Sequence, residues 1–323
     1  MAATLAAVMV AMVCEVEGVA PPTTVDMSNT PFSALAVACT VSAGRVTAPA
    51  YTTNCNVAPD LQSVTLYKLA LCTAKPSPPS TVAAAGLSSC QLIHDDPRGQ
   101  VVAIANGSRS PVTLPGATKP ANATYGYLYV ELSPTQLIQT RVTFGSVVGD
   151  ANSTTHGSVC WSIASPGTTL YNWSDHSQGA MPPITRCGSA VDDAYAPTSI
   201  TYNSFNGGVF VNALTNLPIS NGMPAVNAGA GVLNALDAYL VAEAGTLARP
   251  ETPALNQANG VSRLVGILTL PQALTVSDAT TNVMLYYNNS LGTQIATQTV
   301  YNGYVPVSRF GPGPFDITVA ASP

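Results

Sequence analysis

The chain has 323 residues, which suffices for one large or two modest domains, and its formal net charge is −5. Only 8% of the residues are charged, against roughly 25% in ordinary soluble domains. Hydrophobic residues make up 46% of the chain, which excludes an intrinsically disordered protein, and the 11 basic residues stand singly, which argues against nucleic acid as a partner. A surface with so few charges provides little repulsion between copies, so the composition favours a self-assembling subunit.

The first predicted element is the apolar run at residues 1–13, which ends before Cys14. A helix of this length would span only about 20 Å, too short for a hydrocarbon core of about 30 Å. The run is either a secretory signal, although the first basic residue of the chain is Arg45, or a retained segment that is buried against a neighbouring subunit. We expect retention and call residues 1–22 the N-terminal assembly segment. Its predicted contact residues are Leu5, Val8, Val10, Val13 and Cys14.

The cysteines predict disulfides. Of the seven cysteines, six form successive couples separated by short polar loops, whereas Cys14 is either an intersubunit partner or a buried free thiol. Disulfides form in oxidising compartments, so the sequence predicts a secreted or cell-surface protein. The pairs favoured by short loop closure are Cys39–Cys55, Cys72–Cys90 and Cys160–Cys187. Sequons that fit a surface-exposed chain stand at Asn106, Asn122, Asn152, Asn172 and Asn288.

From residue 23 onward, short β-prone runs alternate with clusters of Pro, Gly, Asn and Asp, as in β-sandwich proteins. We predict an all-β, antiparallel β-sandwich, Ig-like or jelly-roll-like, over residues 23–323, with candidate sub-boundaries near residues 60 and 195. Loops are predicted at 75–79, 114–120 and 249–253. The predicted strands are 34–41, 63–71, 101–105, 125–132, 139–144, 208–213, 263–270, 282–287, 294–301 and 315–320.

Alternation of side chains is clearest in the strand predicted at 125–132. Its polar and aromatic positions fall on one face, and Leu128, Val130 and Leu132 fall on the other. This pattern predicts a half-buried strand whose aromatic face makes cross-strand pairs. The residues of that aromatic face are Tyr125, Tyr127, Tyr129 and Glu131.

Residues 231–247 interrupt the β pattern. Apolar side chains recur there at helical intervals, and Gly245 stands near the end of the run. We predict the one short helix of the chain here, and a strand over residues 238–242 is the alternative. The side chains that share the helical spacing are Leu233, Leu236, Leu240 and Ala244.

Few groups in the sequence could converge on a reaction. The three histidines, His94, His156 and His176, do not cluster, and no nucleophile elbow, phosphate loop, dinucleotide fingerprint or zinc motif is present. We therefore expect neither an enzyme nor a cofactor, although paired carboxylates of the glycosidase type stay open because any two of the acids could meet in the fold.

Two short acidic segments carry the oxygen ligands that Ca²⁺ prefers. They are the pair Asp192 and Asp193, which is the candidate metal site, and the run from His94 through Asp95 to Asp96. Solvated loop acids are the simpler interpretation of both segments.

The two tryptophans predict different environments. Trp161 follows Cys160 directly and is expected to pack on a disulfide in the core. Trp173 stands in a polar segment with Asp175 and His176, and these three residues are the candidate contact for a surface glycan or a partner subunit.

Three features together resemble the secreted, β-rich structural subunits of microbial surface appendages, including pilins. They are the apolar residues 1–20, the Cys72 and Cys90 couple after the strand at 65–71, and the closing strand at 314–319. The resemblance implies a subunit that polymerises with copies of itself into an extracellular filament, through an N-terminal segment used as a core helix or as a donated strand. The alternatives are a virion capsid or decoration protein and a carbohydrate-binding surface adhesin; a secreted hydrolase is the remaining option.

Overall fold

The architecture is all-β in the part of the chain that the computed structural model describes. This part comprises residues 38–49, 55–80, 82–105, 109–150, 155–164, 169–172, 185–204, 210–211, 218–219, 225–226, 235–250, 258–259, 261–297, 303–312 and 316–323. Within these ranges every regular element is a β-strand, and none of them contains a helix that could cross a lipid bilayer. The N-terminal assembly segment lies outside the described residues, so its role stays a prediction.

The strands are numbered in chain order. They are β1 Val41–Ser42, β2 Arg45–Val46, β3 Cys55–Val57, β4 Leu61–Cys72, β5 Cys90–Ala105, β6 Arg109–Val112, β7 Ala123–Gln139, β8 Arg141–Gly149, β9 His156–Ser162, β10 Thr169–Asn172, β11 Thr185–Gly188, β12 Thr198–Ser204, β13 Phe210–Val211, β14 Pro218–Ile219, β15 Ala225–Val226, β16 Ala235–Val241, β17 Arg249–Pro250, β18 Ala258–Asn259, β19 Arg263–Val276, β20 Asn282–Asn288, β21 Thr293–Thr297, β22 Val307–Pro312 and β23 Asp316–Ser322.

The largest sheet is organised around β7, a strand of 17 residues. Strand β4 runs antiparallel along one edge of β7, and β5 continues the sheet beyond β4. Strands β19 and β12 share the other edge of β7, and the sheet extends in the order β10-β12-β7-β19-β16-β15. The pairing is antiparallel except between β10 and β12, and the smaller sheets likewise hold a single parallel pair, β2 with β8.

Smaller sheets pack on larger ones and enclose two main cores. The large core lies between one face of the largest sheet and the sheet β23-β20-β6, and it is formed by side chains such as Leu128, Leu268 and Leu285. The second core, which we call the disulfide core, lies between the sheet β1-β2-β8-β9-β11 and the sheet β22-β21-β3, around Phe144 and Phe310. Antiparallel sheets that pack with their apolar faces inward form the predicted β-sandwich.

The central strands of the largest sheet are buried on both faces. On the side away from the large core, a third cluster contains Tyr129, Tyr239 and Ile267, and it is covered by the segment that includes Leu87. The prediction of a half-buried strand at 125–132 is therefore wrong for its central part, because Leu128 and Tyr129 are both at most 3% exposed.

The predicted grouping of the tyrosines is correct for all but one of them. The pairing of β7 with β19 shifts register between Thr269 and Leu274, next to Gly126. As a result Tyr125 joins the large core together with Leu128, whereas Tyr129 stays with Glu131 and donates a hydrogen bond of 2.7 Å to its carboxylate. An irregularity of this kind exchanges the two faces of a strand, which alternation in sequence does not reveal.

Most of the predicted strands are confirmed. Five predictions lie entirely inside observed strands: 63–71 in β4, 101–105 in β5, 125–132 in β7, 263–270 in β19 and 282–287 in β20. The prediction 139–144 is divided between β7 and β8 at Thr140. Four further predictions fall partly outside the described residues: 34–41, 208–213, 294–301 and 315–320. Their described parts contribute to β1, β13, β21 and β23. The loops at 75–79 and 114–120 contain no described strand, but the loop predicted at 249–253 begins with β17.

The predicted helix at 231–247 is wrong in its described part. Residues 235–241 form β16, which pairs along its whole length with β19, so the strand alternative is correct with earlier bounds. A short apolar run suits either a helix or a buried strand, and the neighbouring strand supplies the hydrogen-bond partners that decide between them. Gly245 has a φ of 76° and belongs to the turn that follows the strand.

The three disulfides join the pairs that the sequence favours, Cys39–Cys55, Cys72–Cys90 and Cys160–Cys187. Two of them connect directly opposed residues, because Cys72 faces Cys90 across β4 and β5 and Cys160 faces Cys187 across β9 and β11. Three intramolecular disulfides indicate folding in an oxidising environment, as in secreted proteins.

Candidate functional site

Two groups of predicted site residues lie outside the described residues. One is the set of N-terminal contacts, Leu5, Val8, Val10, Val13 and Cys14. The other is the candidate ligand contact, Trp173, Asp175 and His176. Both groups stay predictions.

The candidate calcium residue Asp192 is engaged by the protein itself. One carboxylate oxygen accepts hydrogen bonds from the Trp161 ring nitrogen at 3.0 Å and from the backbone N–H of Ala194 at 2.9 Å, and the other accepts one from Arg186 at 2.8 Å. Partial burial raises the pKa of this carboxyl, but these donors outweigh it and lower the pKa overall. Donors therefore occupy both oxygens of Asp192, and one of these donors is cationic. No group of three or more potential metal-ligating side chains occurs within the described ranges, and a calcium site at Asp192 and Asp193 stays a prediction.

Trp161 does not pack as the sequence predicts. Neighbouring residues of a strand point to opposite faces, and Cys160 belongs to the disulfide core whereas Trp161 lies on the other side of β9. A Cβ atom at Gly188 would come within 3.0 Å of the indole Cη2, so glycine leaves room for the ring. The ring and Asp192 together hold the segment after β11 against β9.

The candidate boundaries near residues 60 and 195 stay predictions. The side chains at these two positions meet, since the Tyr195 hydroxyl donates a hydrogen bond to the Asp60 carboxylate. The same carboxylate accepts the backbone N–H of Arg141 at 3.0 Å.

One surface of the largest sheet is exposed and lacks charge. In the ladder of β5, β4, β7 and β12, the residues Ala103, Ser63, Leu137 and Ser199 stand directly opposite one another in a row. Directly opposed residues of paired strands project from the same face. Their neighbours on each strand, Val102, Val64 and Ile138 among them, point the other way into the large core. We define the uncharged face as Leu61, Ser63, Thr65, Val101, Ala103, Ala105, Leu137, Gln139 and Ser199.

The uncharged face combines small, hydroxylated and apolar side chains. Val101 is 59% exposed and Leu137 is 41% exposed, and these two are among the few large apolar side chains that reach the surface of the described residues. Four adjacent strands and about five residues along each give a patch of roughly 14 Å by 14 Å. A surface of this composition can lie against another sheet without bringing charges together.

The strand at the border of the uncharged face is β5. Within the described part of the chain, β5 lies at the edge of the largest sheet, paired with β4. Natural edge strands are usually protected by lysine, proline or a bulge. Strand β5 carries Pro97 in its middle, but the stretch from Val101 to Ala105 contains no charged residue and no proline. In this stretch the Val101 carbonyl accepts a hydrogen bond from the Gln100 side chain at 3.0 Å, and the Ile104 carbonyl accepts one from the Asn289 side chain at 3.5 Å.

Sequence reasoning missed the uncharged face because its residues come from four strands that are far apart in the chain. A local signal does exist in β4, where Leu61, Ser63 and Thr65 alternate with buried residues and are all uncharged. The interpretation of His94, Asp95 and Asp96 as loop residues is wrong, because all three lie within β5.

Comparison with known proteins finds no matching protein family, no matching curated protein and no matching solved structure. The resemblance to pilin-like subunits therefore stays a prediction, and the function is argued from the residues themselves.

Proposed function

We propose that the chain is a secreted structural subunit that assembles with copies of itself into an extracellular filament. The observation that carries the proposal is the uncharged face. When two copies approach with this face, no like charges meet, and Val101 and Leu137 of each copy can be covered by the other. Face-to-face sheets lie about 10 Å apart, which small and hydroxylated side chains allow.

The size of the uncharged face indicates that it does not act alone. A patch of roughly 200 Å² is a fraction of the roughly 800 Å² per partner that stable interfaces bury. The proposal therefore includes a second contact, in which the N-terminal assembly segment of one copy is buried against the next. Burying about ten apolar side chains at 1 to 2 kcal/mol each would offset the entropy of association.

The two contacts differ in symmetry, and together they produce a polymer. Two copies that join through the same face form a closed pair around a two-fold axis. A head-to-tail contact through the N-terminal assembly segment adds further copies, and it gives an open filament when its rotation does not close a ring. The low charge of the chain and its disulfides fit a subunit that persists outside the cell.

The first test is negative-stain electron microscopy and sedimentation of the purified full chain under non-reducing conditions, with the variant Val101→Lys. We expect filaments from the unchanged protein. We also expect the variant to need at least a tenfold higher concentration to assemble, because each copy would place an unpaired ammonium group in the contact. The matched control is Val147→Lys, since Val147 is 52% exposed and lies outside the uncharged face.

A second variant tests the other contact. Deleting residues 1–22 should leave folded protein that no longer forms filaments, as judged by circular dichroism and electron microscopy. Discrete monomers of the unchanged chain at every concentration would overturn the proposal. Closed shells in place of filaments would favour the virion capsid alternative.

A further inference from the structure

An apolar cavity interrupts the packing of the large core. Its floor lies on the largest sheet, where Leu71 of β4 and Leu128 of β7 stand directly opposite each other. Its roof is the row of Val112, Leu285 and Val319 across the sheet β23-β20-β6. The cavity has a volume of about 210 Å³. Protein interiors contain few voids larger than a water molecule, so a cavity of this size has room for an apolar group from outside.

The cavity opens at the surface beside a turn. The backbone N–H of Ala117 donates a hydrogen bond to the carbonyl of Leu114 at 3.2 Å. Gly116 occupies the third position of this turn with a φ of 72°, which favours glycine. Leu114 is half-buried and Ala117 is exposed, whereas Leu128 in the floor is fully buried. A side chain from outside can therefore enter past the turn.

Val82 is the most exposed large apolar side chain of the described residues, at 84%. It stands on a turn in which the Ser80 hydroxyl accepts the backbone N–H groups of Val82 at 3.3 Å and Ala83 at 3.0 Å. The turn is anchored, because the Ser80 carbonyl accepts the N–H of Leu247 at 2.8 Å. A valine has a single side-chain torsion, so an anchored turn presents this apolar group with little conformational freedom left to lose on binding.

The other strongly exposed valines are presented differently. Val41, Val101 and Val147 lie within the strands β1, β5 and β8. A side chain within a strand is flanked by its neighbours, which limits how far it can enter a cavity. The turn at Val82 has no such limit.

Val82 and the cavity lie on opposite sides of the largest sheet. The segment between β4 and β5, which includes Val82, covers the cluster that contains Tyr239. Leu247, to which the turn is anchored, belongs to the same cluster. The cavity belongs to the large core, on the other side of the sheet. A contact between Val82 and the cavity would therefore use different surfaces of the two copies and leave one of each available for a further neighbour.

We propose that Val82 of one copy inserts into this apolar cavity of the next copy. The inference rests on the proposed self-assembly and adds a head-to-tail contact to it. Such a contact is needed, because the uncharged face supplies only roughly 200 Å² of the roughly 800 Å² per partner that stable interfaces bury.

Size and charge both fit the proposed contact. An apolar cavity of about 150 Å³ holds a benzene molecule, which is larger than the isopropyl group of valine. No described residue that lines the cavity is charged, and residues 76–93, which surround Val82 in the chain, include no charged residue. The insertion therefore buries apolar groups without removing a charge from water.

The first test measures assembly of the full chain by sedimentation at a series of concentrations. Val82→Ala should raise the concentration needed for assembly about tenfold, because the two methyl groups that enter the cavity are lost. Val82→Ile should preserve assembly, since the cavity has room for one more methyl group. The matched control is Val147→Ala, which removes the same methyl groups from a valine of β8 and should leave assembly unchanged.

A second test locates the contact by a disulfide between two copies. One preparation carries Val82→Cys and the other carries Leu114→Cys, and the two are mixed and oxidised. Peptide mass spectrometry should find residue 82 linked to residue 114, which distinguishes this bond from any that Cys14 makes. The control mixture of Val147→Cys with Leu114→Cys should give no such link.

The outcomes separate this contact from the proposed function. If the chain assembles but Val82→Ala weakens assembly no more than Val147→Ala does, or if residues 82 and 114 do not link, the inserted valine is overturned and self-assembly stands. If Leu114→Cys fails to fold by circular dichroism, the Val82→Ala result decides alone. Discrete monomers of the unchanged chain at every concentration would overturn the proposed self-assembly, and this contact with it.

Discussion

The large core and the disulfide core reach stability by different means. Among the described residues, the large core contains 22 buried residues and none of them is a cysteine. The disulfide core contains 11 buried residues in the same part of the chain, and four of these are the cysteines of two disulfides. A smaller core buries less apolar surface for each residue that it must order. Cross-links reduce the conformational freedom of the unfolded chain, so they act where apolar burial is limited.

The third disulfide supports this comparison by its position. Cys72–Cys90 joins β4 to β5 on the side of the largest sheet that is away from the large core, in the cluster that contains Tyr239. It ties down the segment between β4 and β5, which covers that cluster. This cross-link, too, lies beside a cluster that is smaller than the large core.

Removing both cross-links of the disulfide core should have the largest effect. In the chain-entropy model, disulfides with sequence separations of 16 and 27 contribute roughly 6 to 7 kcal/mol together, which is comparable to the total stability of many domains. We expect hydrogen exchange in β8 and β22 to accelerate strongly in the fourfold cysteine-to-alanine variant, while β7 and β19 stay protected. The variant replaces Cys39, Cys55, Cys160 and Cys187.

The control for this experiment is the double variant Cys72→Ala and Cys90→Ala. It should cost about 3 kcal/mol and leave the exchange in β8 and β22 unchanged. Equal acceleration in both cores of the fourfold variant would show that they unfold as one unit, and would remove the basis for the comparison.

A cavity in the large core should have the next largest effect. Ile138 is fully buried, and Ile138→Ala should lower the free energy of unfolding by about 3 to 4 kcal/mol, measured by urea denaturation. Leu137 is the next residue on the same strand but points into the uncharged face, so Leu137→Ala should cost less than about 1 kcal/mol. Similar losses from both variants would contradict the assignment of faces in β7.

The smallest expected effect is a dependence on alkaline pH. Burial raises the pKa of the Tyr129 phenol, and the carboxylate of Glu131, to which the hydroxyl donates, raises it further. An unfolded tyrosine ionises near pH ~10. Above this pH the folded chain therefore binds more protons than the unfolded chain, and stability falls as the pH rises.

The disulfide core contains no tyrosine among its described residues, so alkaline pH should loosen the largest sheet first. Hydrogen exchange in β7 is expected to accelerate above pH 10 before exchange in β22 does. Strand β22 is the reference because burial and Asp60 also raise the pKa of Tyr195, and Asp60 binds the backbone of Arg141 in β8. The variant Tyr129→Phe should reduce this difference. An unchanged difference in the variant would assign the alkaline sensitivity to another group.

Several features of the fold follow from local sequence because local physics decides them. The pairing of the cysteines depends on short loop closure, which favours partners close in sequence. The strands β4, β19 and β20 have alternating or continuous apolar runs between turn residues, and such runs are typical of strands whatever they pack against.

The elements that sequence reasoning placed wrongly depend on a neighbouring strand. Residues 235–241 have the spacing of a helix, but β19 provides a complete set of antiparallel partners for them. The acidic stretch within β5 contains turn-forming residues, yet β4 pairs with β5 on both sides of residues 96–99. In each case tertiary hydrogen bonds outweigh a weak local preference.

The all-β class, the three disulfides and the scarcity of charge follow from the amino-acid sequence alone, because composition, spacing and loop length set these properties. The position of the uncharged face and the set of side chains that meet in each core depend on the tertiary structure. Both combine residues from segments far apart in the chain, and the register of the strands selects which residues share a surface. One shift in register moved Tyr125 from one face of β7 to the other, and no pattern within the strand records that shift.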